Sequence, residues 1–305
     1  MRVFITGATG VIGRRVVPLL LEAGHEVTVA MREGSRHPAP SHDAVRVARV
    51  DLFEPATLAP AVTGQDAVIN LATHMPSSSV RMLFRSAWRT NDRIRREGSR
   101  NLVQAALAGG VGRFVQESFA PTYPDRGDQW IDECTPLEPS AYNRTVSDAE
   151  ESAGRFSGDG RAGVVLRFAA FYGPDAMQTR DFLRIVRRGW APIPGGPRKF
   201  ISSVSHDDAA AAVVAALGAR AGAYNVVDDE PVRREVYFGT LASLLGVKVV
   251  RYMPDWVTPL FGAAGQAMAR SLRISNAKLT SETGWKPRYP SVREGWRATL
   301  EEMEA

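Results

Sequence analysis

Arg2-Val3-Phe4-Ile5-Thr6-Gly7-Ala8-Thr9-Gly10-Val11-Ile12-Gly13 is the stretch that decides the fold. Its first part is a short β-branched and aromatic run, and glycines spaced three apart follow with no linker. A mainly apolar stretch from Val16 to Ala23 then reads as a helix that stops at Gly24. Strand, Gly-rich turn and helix in that order form the context of a dinucleotide site. One glycine makes the tight turn, another lets the backbone approach a pyrophosphate, and the third lets helix and strand pack closely. The pyrophosphate would rest on unpaired N–H groups at the helix start, where the helix dipole favours negative charge. A second strand, Glu26-Val27-Thr28-Val29-Ala30, follows at βαβ spacing, which a simple tight turn would not require.

Working outward, strands and helices alternate through the first half. Ala44 to Val50 reads as a third strand, Ala56 to Ala61 as a short helix, and Ala67 to Ala72 as a fourth strand. A long helix is expected from about Val80 to Ala108, then a fifth strand, Arg113 to Ser118. The segment from Ala120 to Pro139 is a long Pro-, Asp- and Gly-rich loop, and such loops are commonly functional. A helix follows Ser140, Gly163 to Phe168 is a sixth strand, Ala209 to Ala216 a helix, and Ala223 to Val227 a strand. The expected fold is an α/β, Rossmann-type doubly wound parallel sheet with a smaller C-terminal substrate lobe. The sheet domain takes residues 1–172 with a returning segment at about 201–227, and the lobe takes 173–200 and 228–305. Ligands of such sheets lie beyond the C-terminal strand ends, so Arg32, Asp51, Ala72, Ser118 and Phe168 should ring one site.

With 305 residues, 44% hydrophobic and 23% charged, the chain has the composition of an ordinary globular protein able to bury a large core. The single cysteine, Cys134, excludes an internal disulfide and a cysteine metal cluster, and a reducing cytoplasm fits. The first strand begins at residue 2, leaving no room for a signal peptide, and no apolar run reaches a membrane span. No histidine stands at ligand spacing from His206, so no metal is expected. The net charge of +5 is almost wholly arginine, with lysine only at 199, 248, 278 and 286. Arginines crowd one segment, from Arg81 through Arg85, Arg89, Arg93, Arg95 and Arg96 to Arg100, but all round a helix, which favours a solvated face over a nucleic-acid stripe.

The spacing Thr6-Gly7-x-x-Gly10-x-x-Gly13 resembles the turn of the extended short-chain dehydrogenases/reductases, the nucleotide-sugar epimerase/dehydratase family, and later segments match in order over nearly the whole chain. The resemblance implies that Gly7, Thr9, Gly10, Val11, Ile12 and Gly13 hold the pyrophosphate. It also implies that Asp51 and Leu52 flank the adenine and that Leu71, Ala72 and Thr73 line the nicotinamide side. Phe168 and the following Phe171-Tyr172-Gly173-Pro174 match a segment that touches nicotinamide and substrate. NAD sites usually end the second strand with a carboxylate that bonds the ribose 2′-hydroxyl, whereas an arginine there accommodates a 2′-phosphate. Here the strand ends Ala30-Met31-Arg32, with Arg36 nearby and Glu33 one residue late, so NADP is expected ahead of NAD.

The same resemblance implies a tyrosine acid/base, a lysine four residues on, and an upstream hydroxyl. Tyr142, in Ser140-Ala141-Tyr142-Asn143-Arg144-Thr145-Val146, falls in register as the tyrosine, while Val146 stands at the lysine position. The family's catalytic hydroxyl would fall at Phe119, with Ser118 one residue early, on the other face of a regular strand. Arg95 takes the place of a helper asparagine, and Asp92 lies three residues before it on the same helix face. An unassisted tyrosine, with a pKa near ~10, donates a proton but is a poor base. The pattern, an intact Gly turn with an eroded active site, resembles the atypical branch of the family. The expected function is therefore an NADP-dependent oxidoreductase, epimerase or dehydratase acting on a small polar metabolite, with Tyr142, Ser118 and Asp92 as catalytic candidates. A nicotinamide-binding sensor without turnover and a non-redox lyase or isomerase are the alternatives. Family members often dimerise through the helices that carry Asp92 and Tyr142, which implies a homodimer here.

Overall fold

The computed structural model describes residues 1–35, 37–38, 40, 42–76 and 81–304. Arg36 and Val80, both named above, lie outside the described residues. In chain order the first half runs β1 (Arg2–Thr6), α1 (Gly13–Glu22), β2 (Glu26–Met31), β3 (Val45–Arg49), α2 (Pro55–Val62), β4 (Ala67–Asn70), α3 (Arg89–Arg93), α4 (Ser99–Ala108), β5 (Arg113–Phe119), β6 (Trp130–Ile131), α5 (Thr145–Phe156) and β7 (Ala162–Phe168). The second half runs β8 (Ala170–Tyr172), α6 (Met177–Arg187), β9 (Phe200–Ile201), β10 (Ser203–Ser205), α7 (His206–Ala215), β11 (Gly222–Val226), β12 (Val232–Arg233), α8 (Arg234–Leu244), α9 (Gly262–Met268), β13 (Arg273–Ile274), α10 (Ala277–Thr283) and α11 (Val292–Glu304).

Seven strands form one parallel sheet in the order β11-β7-β5-β4-β1-β2-β3. The order reverses between β1 and β4, and in sheets of this kind ligands bind at such a switch point, beyond the C-terminal strand ends. The period-two alternation of the strands feeds two cores. Val3, Ile5 and Ile69 pack under α1 and α7, while Phe4, Val68 and Phe114 pack under α2, α4 and α5. A further apolar cluster around Tyr172, Phe238 and Trp296 joins α6, α8 and α11. Leu279 and Trp285 join the sheet core, and the Trp285 indole donates to the Asp208 carbonyl at 3.2 Å.

The expected long helix before β5 is broken. Short 3₁₀ turns at Arg81–Leu83 and Arg85–Trp88 precede α3, and a wide π-type turn at Ile94–Gly98 separates α3 from α4. The chain bends because Trp88 is buried and its indole donates to the Met82 carbonyl at 2.8 Å. The wide turn holds the buried Arg95, in keeping with the use of such turns at functional sites. The loop after β5 is pinned down. Its β6 pairs with β13, Arg270 donates to the Tyr123 and Glu138 carbonyls at 2.8 and 2.7 Å, and the Glu133 carboxylate accepts the Asn225 amide at 2.7 Å.

Candidate functional site

The turn between β1 and α1 has the shape its glycines imply. Gly7 sits at φ +73°, and a side chain there would stand 2.9 Å from the Ala72 nitrogen and overlap the Leu71 carbonyl. A Cβ at Gly13 would lie 2.7 Å from the Ala8 Cα, so the helix start could not seat against the turn. Gly10 donates to the Gly7 carbonyl at 2.9 Å, and Gly10 is exposed while Thr9, Val11 and Ile12 are half-buried. The rim is therefore backbone; the Arg14, Arg15 and Val16 amides already donate to the Gly10 and Ile12 carbonyls, so an approaching anion meets the turn amides just before them. These residues fit a dinucleotide pyrophosphate, since the two glycine positions leave no space for anything but close backbone approach.

Behind the turn, Asn70 is fully buried and every part of its amide is used. It accepts from Thr6 Oγ1 at 2.6 Å and from the Ala72 amide at 3.3 Å, and donates to Ser99 Oγ at 3.2 Å and Gln116 Oε1 at 2.9 Å. This network ties β1, β4, β5 and α4 together and sets Leu71-Ala72-Thr73 beside the turn. Asp51 forms an Asx turn by accepting the Phe53 amide at 2.9 Å, and the Leu52 carbonyl accepts from Asn101 at 2.9 Å. Arg32 is exposed, directly follows β2, and holds no ion pair among the described residues. Sequence reading missed its neighbour Arg49, which ends β3 and donates to the Arg32 carbonyl at 3.3 Å. The missing signal was register: β3 pairs Arg49 with Met31, one residue before Arg32. The Phe168 ring lies in the sheet core against Phe171, at a centroid distance of 5.3 Å, so only its backbone reaches the strand end.

Tyr142 lies in the turn just before α5 and is 7% exposed. Asn143 holds that turn, accepting from the Ser140 amide at 2.7 Å and reaching the Pro121 carbonyl at 3.5 Å. Asp92 accepts from Thr145 Oγ1 at 2.8 Å, so it tethers α3 to the first residue of α5. Val146 is fully buried, with no cation in place of the expected lysine. Burial pushes the Tyr142 hydroxyl up to about 12, with Arg95 and Arg270 pulling the other way.

Ser118 is buried and donates to Glu150 on α5. Phe119, on the opposite strand face, packs against the cluster that holds Tyr142. Regular strand geometry therefore puts the hydroxyl and Tyr142 on different faces. Glu150 is held in turn by Arg167 through bonds of 3.0 and 2.7 Å, and Arg167 donates to the Tyr123 hydroxyl at 2.8 Å. Arg95 pairs with Glu117 at 3.1 Å, the two side chains only 6% and 12% exposed. Asn91, four residues before Arg95 and fully buried, accepts the His74 amide at 2.9 Å, which fixes the chain just past Thr73. Its position one helical turn from Arg95 was the available signal. Of the crowded arginines, Arg93 and Arg96 pair with Glu97 and Asp148 at 2.9 and 3.2 Å.

At the seam between sheet and C-terminal cluster, Arg15 holds Asp175 at 2.6 Å and Asp207 at 2.7 Å, and Ser205 caps α7 by accepting the Asp208 amide at 3.0 Å. His206 is buried there, and a Cβ on Gly173 would collide with its ring. Burial, with Arg15 adding to it, lowers the imidazole to about 4. Among the described residues no group of side chains is arranged to hold a metal, and no helix is long and apolar enough to cross a membrane.

Comparison with known proteins matches this geometry. The model of the NAD dependent epimerase/dehydratase family covers residues 3–226. The chain is 33% identical, over 97% of its own length and 99% of the other, to a 3-diazoavenalumate denitrifying reductase of a Streptomyces species. It is 24% identical, over 96% of its length and 88% of the other, to a ceramide reductase of Caulobacter vibrioides. In structure it superposes on human epimerase family protein SDR39U1 with NADPH (TM-score 0.80, 22% identity, 99% of each chain). It also superposes on the dTDP-glucose 4,6-dehydratase DesIV of Streptomyces venezuelae with NAD (TM-score 0.79, 22% identity, 100% of this chain and 97% of the other).

Proposed function

Since the chain belongs to the NAD dependent epimerase/dehydratase family, we propose that it works as an NADPH-dependent reductase, with Tyr142 serving only as a proton or hydrogen-bond donor. The bound nicotinamide supplies the hydride. Gly7, Gly10 and Gly13 admit the pyrophosphate to the turn amides, and Arg32 with Arg49 favours a 2′-phosphate through two guanidiniums at neighbouring strand ends. Asp51 and Leu52 flank the adenine, and Leu71, Ala72 and Thr73 border the nicotinamide. Asp92 and Asn143 position the turn that carries Tyr142.

The observation that carries the reading is the buried Tyr142 with Val146 in place of the lysine. With its hydroxyl pushed up to about 12, Tyr142 stays protonated at neutral pH. It can give a proton to an oxygen that gains charge as hydride arrives, but it cannot begin an oxidation or an elimination by taking one. Epimerisation and dehydration both need that first abstraction, so reduction is favoured. The reductase names of the two sequence relatives, one of them acting on a diazo compound, agree with an active site that relies on hydride delivery more than on a base.

The test follows NADPH absorbance with a panel of carbonyl acceptors. Reduction should proceed at a rate flat from pH 6 to 9, while oxidation of the matching alcohol climbs with pH throughout. Tyr142→Phe should lower kcat about 10²-fold with NADPH affinity unchanged. Bound NADPH that no acceptor consumes, or an equally fast alcohol oxidation at pH 7, overturns the reading.

A further inference from the structure

We propose that the substrate face of this site is built for a planar aromatic group, in place of the small polar metabolite expected from the sequence; the proposal rests on Tyr142 marking the reacting end. The side chains clustered with Tyr142 are Met82, Trp88, Phe119, Ala264, Ala267 and Met268. These apolar neighbours come from three separate parts of the chain, the turns before α3, the end of β5, and α9, while the charges of Arg95 and Arg270 act on the Tyr142 hydroxyl. Trp88 meets Tyr142 edge to face, with centroids 5.4 Å apart and planes at 65°.

Each part of this wall suits a ring. Ala264 and Ala267, three residues apart on α9, share a helix face and present a flat methyl surface. The Met82 and Met268 thioethers favour the edges of aromatic rings. Trp88 and Phe119 offer the tilted ring contacts that aromatic partners prefer. An aliphatic chain gains area on such a wall but none of those directional contacts. A sugar gains less from these side chains, because hydroxyls set against them give up water without a bond in return. The same segments carry exposed apolar side chains outward: Phe84, beside Met82, is 60% exposed, and Trp256 and Leu260, just before α9, are 76% and 79% exposed. They carry the apolar character of the same segments out to the surface.

The test is calorimetric titration of the protein, with and without NADP⁺, against 4-hydroxycinnamate, decanoate and UDP-glucose. The first two carry the same charge and differ in the ring. In the tighter-binding form, 4-hydroxycinnamate should bind at least about tenfold more tightly than either rival; Trp88→Ala should lose about tenfold and Trp88→Phe should keep the preference. Decanoate or UDP-glucose binding as tightly, no measurable 4-hydroxycinnamate binding, or equal behaviour of the two Trp88 variants overturns the proposal. Because this titration reads binding alone, absence of NADPH turnover defeats the reductase reading and leaves the substrate class standing. Turnover confined to polar or aliphatic acceptors defeats the substrate class and leaves the reductase reading standing.

Discussion

The turn after β1 and the turn before α5, whose Tyr142 packs near Phe119 at the end of β5, are held by different physics. At the first, the backbone itself is the functional surface: Gly7 and Gly13 are constrained by atoms of Leu71, Ala72 and Ala8, and side-chain chemistry hardly enters. At the second, Tyr142 is defined by side chains from elsewhere, with Trp88 against its ring, Asp92 holding Thr145, and the Arg95 charge acting on its hydroxyl. A site made of backbone tolerates wide drift in sequence as long as its glycines stay. A site made of side chains can change its chemistry through a few replacements.

That contrast can be broken most sharply at Glu117. Glu117→Gln strands the Arg95 cation at a side-chain exposure of 6%, and removing one member of a buried pair should cost about 3–5 kcal/mol in urea unfolding. If stability falls by less than ~1 kcal/mol, the catalytic end does not depend on long-range charge pairing as described. At the other turn, Gly13→Ala should weaken NADPH binding about 100-fold, or about 2.7 kcal/mol, through backbone displacement alone. Fluorescence titration beside circular dichroism separates lost binding from lost fold, and unchanged affinity would show that the turn yields where it is described as rigid.

His206 tests the seam that joins the two. Its pKa is lowered on folding from the ordinary 6.5 to about 4, so the unfolded chain takes up a proton first. The stability it contributes is complete above about pH 6.5 and is lost as pH falls toward about 4. From pH 7 to 5 the loss should be about 2 kcal/mol, visible as a falling urea midpoint that His206→Gln flattens. Parallel slopes in the two proteins would remove His206 from that role. The smallest expected effect is at the cofactor's far end. Arg32→Ala should weaken NADPH about tenfold and leave NADH unchanged, and an equal change in both would assign Arg32 to something other than the 2′-phosphate.

The two turns also differ in how far they could be read in advance. Gly7, Gly10 and Gly13 betray their role because a positive φ and a close approach exclude other residues locally. Strand positions followed from apolar runs, since two faces of the sheet had to be covered. The mismatch at Ser118 was also legible, because strand alternation is local, and the structure turns that hydroxyl toward Glu150. What could not be read was who meets whom across long separations. Arg95 with Glu117, Glu150 with Arg167, and Arg49 beside Arg32 all depend on register or helix packing. The smooth helix expected over 80–108 failed for the same reason, since Trp88 and Arg95 take buried positions that an unbroken α-helix would not offer.

By itself, then, the sequence determined the α/β fold, the glycine turn after β1, and the presence of Val146 four residues after Tyr142. These rest on φ preferences, hydrophobic periods and residue identity, all encoded within a few residues. Tertiary structure alone decided that Tyr142 is buried with its hydroxyl pushed further up, that it packs with aromatic and thioether side chains, and that the loop after β5 is pinned against β13. Those outcomes depend on which distant segments share a volume, and desolvation is a property of that shared volume, not of any residue within it.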